Sequence, residues 1–191
     1  ATFAEINLKA FKHNLQNLKT ITEPTTGIMA VIKADAYGHG AIPCAKAAVD
    51  SGVDYLGAGI IEEGIELREN GITEPILILG SIFPDEVADL VQHDLATILC
   101  TPHLAQALAK EAEKQGKIVN VHIKVDTGMN RLGVLPENLL PLVETISNLP
   151  ALKLEAISTH FSSADDEDTS ITTQQIELFQ KTLSELQKAG V

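Results

Sequence analysis

Lys33 is the residue of this sequence best placed to do chemistry. It follows a short apolar run, residues 28–32, and precedes a glycine-rich segment, residues 34–40. A β-branched apolar run is typical of a buried parallel strand, and α/β folds bind ligands where such strands end. A lysine desolvated there can lose its proton and act as a nucleophile or base. Most lysines at strand ends are instead solvated surface groups, so the neighbouring motifs must decide.

Tyr37 lies four residues beyond Lys33, within Lys-Ala-Asp-Ala-Tyr-Gly-His-Gly. Its phenol would lie near the positive end of the helix that follows, where a phosphate group is favoured. Gly38 and Gly40 permit close backbone approach at this point. The alternative is a glycine-rich turn with a packed tyrosine.

A second segment, residues 124–133, follows another apolar run and contains Arg131 in a glycine-bracketed loop. A guanidinium at the mouth of a barrel suits bidentate recognition of a carboxylate. The alternative is an ion pair between Arg131 and Asp126 that only holds the loop. Lys124 would be costly to bury unless it is paired or chemically neutralised.

A third segment places His160 after the sixth apolar run. This imidazole could stack on an aromatic ring or form a hydrogen bond with one, although a structural role is the alternative. The acidic run 165–168 is typical of a solvated loop, one member of which caps the next helix. No grouping of histidine, cysteine and carboxylate has the spacing of a metal site, so we predict no metal. Gly57-Ala-Gly59 lacks the third glycine of a dinucleotide-binding fingerprint.

The elements that must position these residues alternate between strand and helix. The pattern predicts strands over 28–33, 53–59, 75–79, 95–99, 118–125 and 152–158. It predicts an opening helix with Leu8, Phe11, Leu15 and Leu18 on one face, then helices over 60–69, 85–93, 104–115, 137–147 and 173–189. Six strands with helical crossovers and no hairpin signals indicate a parallel α/β fold. The near-uniform spacing favours a (β/α)8 TIM-type barrel over an open doubly wound sheet.

The chain ends on Ala189-Gly190-Val191, where a seventh strand is expected. Six strands leave a barrel with two unpaired edges. We therefore expect residues 1–191 to be part of a barrel truncated after about six β-α units. The alternative is a complete open-sheet domain with a short tail.

Composition narrows the classes of function. The formal net charge of −12 repels nucleic acids and anionic membranes. No apolar run approaches the roughly 20 residues of a membrane helix, and the first five residues show no signal peptide. Cys44 and Cys100 resemble small buried hydrophobic residues. We expect a cytoplasmic protein with no nucleic-acid or membrane partner.

Three motifs resemble those of alanine racemases. Residues 30–40 are similar to the cofactor-lysine signature of that family, and residues 124–133 to its KxDTGMxRxG segment. Thr159-His160-Phe161 with Ala164-Asp165 is similar to its THxxxAD segment. The motifs match in order and spacing, and the resemblance covers essentially the whole chain.

The resemblance implies a barrel that binds pyridoxal 5′-phosphate, followed by a β-domain that lies outside this chain. It implies that Lys33 holds the cofactor as a Schiff base and acts as one catalytic base, and that Tyr37 contacts the phosphate. His160 would lie beside the pyridine ring. Arg131 would bind the phenolic oxygen of the cofactor and the carboxylate of the substrate. Lys124 matches a position that is often carbamylated, which would give an anion that orients Arg131.

Racemisation of alanine by two bases, supplying D-alanine for peptidoglycan, is the function that the resemblance implies. In the family the second base is a tyrosine from the β-domain of the other subunit of a homodimer. The two tyrosines here are Tyr37 and Tyr55, and Tyr55 falls inside the second predicted strand. We therefore expect the isolated chain to be inactive or nearly so.

Three alternatives remain open on sequence. One is a racemase for another small amino acid, such as serine. Another is a non-catalytic barrel that carries pyridoxal phosphate, although such barrels usually lack the segment from Lys124 to Arg131. The last is a sugar-phosphate or amidohydrolase barrel in which Lys33 forms an imine with the substrate.

Overall fold

The computed structural model describes residues 2–190. Ala1 and Val191 lie outside the described residues. Ala1 belongs to the segment on which the signal-peptide expectation was based, and Val191 to the segment on which the chain-end expectation was based. The chain divides into two compact units. Among the described residues, unit 1 comprises residues 2–82 and 92–96, and unit 2 comprises residues 83–91 and 97–190.

Across residues 2–190, six strands alternate with helices and helical turns. In chain order these are α1 (Leu8–Ile21), β1 (Met29–Val31), the turn α2 (Lys33–Gly38), α3 (Ala41–Asp50), β2 (Tyr55–Ala58), α4 (Ile61–Glu69), β3 (Ile76–Ile78), α5 (Val87–Gln92), β4 (Ala96–Leu99), α6 (Pro102–Gln115), β5 (Val119–Lys124), a 3-10 turn (Pro136–Asn138), α7 (Leu139–Ser147), β6 (Leu152–Ser158) and α8 (Ser170–Lys188).

The strands of unit 1 pair in chain order and run parallel, with β2 between β1 and β3. Met29 lies opposite Tyr55, and Leu56 lies opposite Ile76. All three residues of β3 are buried. A continuous apolar run of this kind is what a parallel strand covered on both faces requires.

Arg68, in the last turn of α4, forms hydrogen bonds with the loop that follows α4 and with the loop that precedes β4. Its guanidinium donates to the carbonyl oxygens of Ile72 (3.0 Å), Glu74 (2.7 Å), His93 (3.0 Å) and Asp94 (2.8 Å). Burial lowers the pKa of Arg68, and the nearby Asp94 and Glu74 oppose that shift. The group stays charged at physiological pH, so it satisfies four carbonyl groups with charge-assisted bonds.

The strands of unit 2 are also parallel and in chain order, with β5 between β4 and β6. Val121 lies opposite Leu154, and Lys124 lies opposite Ser158. This register brings the carboxyl ends of β5 and β6 to the same edge. The segments that follow them, which carry Arg131 and His160, therefore begin side by side.

The ends of the helices in unit 2 follow their sequence signals. Thr101 accepts a hydrogen bond from the Leu104 N–H at the start of α6, and Gly116 ends that helix in the left-handed region with φ 66°. Asp168 accepts from the Ser170 N–H at 2.9 Å at the start of α8. One member of the acidic run therefore does bind the helix start, as predicted.

Six parallel strands alternating with helices confirm the predicted fold class. The bounds of β6 are those predicted, whereas β1 is shorter than predicted. It ends at Val31 because Ile32, with ψ 17°, has already left the extended conformation. Lys33 therefore begins the next turn and does not end the strand.

Candidate active site

Lys33 and Tyr37 lie together just beyond the carboxyl end of β1. The Lys33 ammonium is 6.0 Å from the centroid of the Tyr37 ring, at the outer limit of a cation–π contact. The stem of Lys33 packs against Gly59, where an added Cβ would lie 3.2 Å from Lys33 Cβ. Tyr37 is 61% exposed, so its phenol is accessible to a ligand.

The segment that joins these two residues is a left-handed turn. Its four residues 34–37 have φ between 51° and 56° and ψ between 38° and 52°. Left-handed backbone costs an L-residue about 1–2 kcal/mol, and non-glycine residues usually adopt it singly. Four in succession therefore store strain on the order of 4–8 kcal/mol. Strain of this kind persists only where the surroundings over-determine it, which happens most often at functional sites.

Asp35, within the turn, and His39, just after it, form hydrogen bonds that hold the turn in place. The Asp35 carboxylate accepts from the Ala41 N–H at 2.6 Å, and the Asp35 carbonyl accepts from the Gly40 N–H at 2.9 Å. His39 Nδ1 donates to the Ala36 carbonyl at 2.8 Å. The first amide of α3 is therefore occupied by Asp35. Asp35 binds that one amide, and the expectation that Tyr37 contacts a phosphate near this helix start stays a prediction.

Lys124 ends β5 in a buried position, with 8% of its surface exposed. Cys100, at the end of β4, lies close enough that the two interact. Burial raises the pKa of the Cys100 thiol, and the Lys124 charge and a backbone hydrogen bond from Lys124 oppose that shift. Cys44 is buried as predicted, whereas Cys100 is only partly buried because it lies at a strand end.

The loop after β5 is held by Asp126. Its carboxylate accepts from the backbone N–H groups of Gly128 at 2.9 Å and Asn130 at 3.0 Å. Partial burial raises the pKa of Asp126, but these backbone donors outweigh it and leave the pKa below its usual value. Arg131 is exposed, and within residues 2–190 no ion pair joins it to Asp126. The loop is therefore shaped by backbone bonds, and the Arg131 guanidinium does not hold it.

The base of this loop is closed by a short backbone ladder. The Asp126 N–H donates to the Val134 carbonyl at 2.9 Å, and the Val134 N–H donates to the Lys124 carbonyl at 2.8 Å. A Cβ at Gly133 would lie 2.7 Å from the Asp126 nitrogen, and Gly133 has φ +148°. Only glycine fits there, which explains the glycine that brackets the arginine loop.

A chain of three hydrogen bonds joins the segments after β5 and β6. Thr159 donates its hydroxyl to the Val125 carbonyl at 2.9 Å. Because that proton is committed, the 2.7 Å contact between the two threonine hydroxyls must be a bond from Thr127 to Thr159. The Thr127 oxygen then accepts from Gln175 Nε2 at 3.3 Å.

Gln175, on α8, is the centre of this network and is 2% exposed. Its Nε2 also donates to the His160 carbonyl at 3.2 Å, and its Oε1 accepts from the Ser162 N–H at 2.9 Å and hydroxyl at 3.2 Å. Gln175 was not predicted from the sequence. It shares a buried face of α8 with Thr182 and Leu186, and a glutamine on an apolar stripe was the available signal.

The structure thus places the predicted residues in two groups. In unit 1, Lys33 and Tyr37 lie together just beyond the carboxyl end of β1. In unit 2 the loop that carries Arg131 and the segment that carries His160 are joined through Gln175. In unit 1 an amine and a phenol suit a ligand with a carbonyl carbon and a phosphate, and in unit 2 a guanidinium and an imidazole suit a carboxylate and an aromatic ring.

Within residues 2–190, no group of three or more histidine, cysteine or carboxylate side chains is arranged to hold a metal ion. Among the helices of the same residues, none has the length and apolar character needed to cross a membrane.

Comparison with known proteins gives consistent matches. A family model described as the N-terminal domain of alanine racemase matches residues 6–191. A protein named alanine racemase from Methanococcus maripaludis is 40% identical over 190 residues, which is 99% of this chain and 51% of that protein. The chain spans about half the length of the curated relatives that it matches.

Solved structures agree with the sequence matches. The structure named alanine racemase from Clostridium difficile 630 matches with a TM-score of 0.94 and 37% identity, over 97% of this chain and 49% of that one. A structure titled histidine racemase, from Leuconostoc mesenteroides subsp. sake, matches with a TM-score of 0.85 and 29% identity, over 92% of this chain and 47% of that one.

Proposed function

This chain belongs to the family of alanine racemase N-terminal domains, and we propose that the whole protein interconverts L-alanine and D-alanine with pyridoxal 5′-phosphate. The family membership confirms the resemblance predicted from the three motifs. The proposed role of the reaction is to supply D-alanine for peptidoglycan, in the cytoplasm.

The observation that carries the proposal is the position of Lys33. The Lys33 amine lies 6.0 Å from the centroid of the Tyr37 ring, and the turn that joins the two residues is strained and follows the end of β1. This is an arrangement that a cofactor lysine needs, because its nitrogen must be held rigidly beside a group that can bind phosphate.

When bound, pyridoxal phosphate supplies an electron sink for the negative charge left on the α-carbon after deprotonation. In the proposal, Lys33 would hold the cofactor through its amine and would also take or return a proton at one face of that carbon. Tyr37 would donate its phenolic hydrogen to the phosphate, and His160 would support the pyridine ring. Arg131 would bind the phenolic oxygen of the cofactor and the carboxylate of the substrate through its planar fork of donors.

Lys124 is proposed to carry a carbamate. Its side chain is 8% exposed, and a buried ammonium is costly unless it is paired or chemically neutralised. A carbamate would replace the cation by an anion that accepts hydrogen bonds from Arg131. The guanidinium would then be oriented by Lys124, whereas Asp126 Oδ1 accepts from the backbone N–H groups of Gly128 and Asn130.

The second base is proposed to come from outside residues 1–191. Of the two tyrosines in the chain, Tyr37 is assigned to phosphate and Tyr55 begins β2. In this proposal the remaining barrel strands and a β-domain come from sequence outside these residues, and the second base is a tyrosine from the other subunit of a homodimer. The support is that the chain spans about half the length of its relatives. Residues 1–191 alone should therefore be inactive or nearly so.

A racemase for another amino acid is the second candidate. The match to a structure titled histidine racemase favours keeping it, because this half of the fold is similar in both. Comparing alanine, serine and histidine as substrates of the whole protein would decide between the candidates.

Covalent attachment of the cofactor tests the proposal directly. The protein is mixed with pyridoxal phosphate, reduced with borohydride, and the modified peptide is identified by mass spectrometry. We expect modification at Lys33, its loss in Lys33→Arg, and no change in the control Lys46→Arg, whose lysine is exposed on α3. Modification spread over several exposed lysines, or absent, would contradict the proposed role of Lys33.

A further inference from the structure

Glu63 bridges two backbone amides beside the proposed cofactor lysine. Its Oε1 accepts from the Ala34 N–H at 2.7 Å, and its Oε2 accepts from the Gly59 N–H at 2.6 Å. Both bonds are short, as expected when the acceptor is ionised. Glu63 lies in the first turn of α4, where a negative charge is also favoured by the helix dipole.

Both amides are next to Lys33, one along the chain and one across it. Ala34 directly follows Lys33 and begins the left-handed residues of α2. Gly59 follows β2, and an added Cβ there would lie 3.2 Å from Lys33 Cβ and 3.7 Å from Lys33 Cδ. One carboxylate therefore fixes both the backbone after the lysine and the surface on which the lysine stem packs.

We propose that Glu63 is the positioning residue for Lys33. Through its two oxygens it holds Ala34 in the left-handed conformation and Gly59 against the lysine stem, so that the Lys33 amine is presented in one orientation. The role of Lys33 itself rests on the proposed function. The effect is conformational, because Glu63 acts on the backbone and exchanges no proton with a ligand.

The geometry makes Glu63→Gln an informative variant. Each carboxylate oxygen faces a backbone donor, whereas a glutamine has only one oxygen. Whichever way the amide is turned, its NH2 group points at the N–H of Ala34 or Gly59, and two donors then face each other. An isosteric change should therefore disturb the lysine nearly as much as Glu63→Ala.

The experiment measures the rate at which pyridoxal phosphate becomes attached to Lys33, trapped with borohydride and quantified on the Lys33 peptide. We expect attachment to be slower by about tenfold in Glu63→Gln and Glu63→Ala, the rate change that corresponds to about 1.4 kcal/mol. Glu62→Gln, an exposed neighbour on the same helix turn, should leave the rate unchanged. Ala10→Gly lowers stability in the exposed helix α1 and should also leave the rate unchanged.

A second measurement needs no cofactor. Amide hydrogen exchange, followed by NMR, should become faster at Ala34 and Gly59 in Glu63→Gln and stay slow in Glu62→Gln. If the unchanged protein fails to attach the cofactor at Lys33, the proposed function fails, and exchange at these two amides still decides whether Glu63 is the clamp. If both Glu63 variants are unfolded by circular dichroism, Gly59→Ala disturbs the same contact while keeping the carboxylate, and it should slow attachment.

Two results would overturn the inference. One is attachment to Lys33 at an unchanged rate in folded Glu63→Gln. The other is unchanged protection of the Ala34 and Gly59 amides in that variant. If Ala10→Gly slows attachment to Lys33 as much as the Glu63 variants do, the inference also fails. The rate would then depend on the stability of the whole protein and would not report a specific contact with Glu63.

Discussion

Replacing Ala34 by glycine tests whether the turn beside Lys33 is left-handed. Ala34 is exposed and has φ 51° and ψ 52°. Its only role in the contacts around Glu63 is a backbone N–H, which glycine retains. The substitution therefore removes one methyl group from a strained position and leaves the hydrogen bonds unchanged.

The expected magnitude follows from two opposing effects. A left-handed conformation costs alanine about 1–2 kcal/mol, and glycine adopts it freely. Glycine also loses more backbone entropy on folding, which offsets about 0.5–1 kcal/mol of that gain. We expect Ala34→Gly to raise the free energy of unfolding by about 0.5–1 kcal/mol. For a chain of this length that corresponds to an increase of about 1–4 °C in the melting temperature.

Ala10→Gly is the matched control. Ala10 is exposed on α1, a right-handed helix, so the same chemical change should lower the free energy of unfolding by about 1 kcal/mol. Because both variants remove a methyl group from an exposed alanine, side-chain burial contributes little to the comparison. The free energy of unfolding should rise in Ala34→Gly and fall in Ala10→Gly, so that the two variants differ from each other by about 1.5–2 kcal/mol.

Urea unfolding followed by circular dichroism measures both effects. The midpoints should move apart while the slope of free energy against urea concentration stays constant. A loss of stability in Ala34→Gly as large as that in Ala10→Gly would show that residue 34 does not adopt left-handed backbone in the folded protein.

Two further predictions concern unit 2. Gln175→Glu places an anionic oxygen against the Thr127 hydroxyl oxygen and the His160 carbonyl, so the free energy of unfolding at neutral pH should fall by about 2–4 kcal/mol. The exposed Gln174→Glu should change it by less than about 0.5 kcal/mol, and equal urea midpoints in the two variants would contradict the network. The folded pKa of Asp126 lies below its ordinary value of 3.8, so this carboxylate adds stability that is present above that pH and lost as the pH falls through the folded pKa. Asp126→Asn should have a lower free energy of unfolding than the unchanged protein at neutral pH, and this difference should disappear as the pH is lowered. A difference that does not depend on pH, measured by urea titration, would argue against this role of Asp126.

The predicted strands and helices agree with the structure because their signals are local. The bounds of β6 were predicted correctly, since a buried strand between turn residues has a distinctive apolar pattern. The segments with Lys33, Arg131 and His160 could also be assigned to strand ends, because parallel strands place their carboxyl ends at one edge. The motifs therefore identified the candidate residues, and the family match confirms the resemblance that the motifs indicated.

What lies around those motifs was decided by tertiary contacts. Nothing in Ala34-Asp35-Ala36-Tyr37 indicates left-handed backbone, since these residues prefer other conformations when isolated. The acceptor for the Ala34 N–H is Glu63, 29 residues away, and Gln175 reaches Thr127 across 48 residues.

Residue type and periodicity thus determined which elements form and which side chains can react. The conformation of the turn beside Lys33, the partners of Asp126 and the contacts of Glu63 and Gln175 depended on the folded chain. The physical reason is that a hydrogen bond between distant residues forms only after the backbone has brought them together. Its energy then stabilises local conformations that the local sequence would not choose.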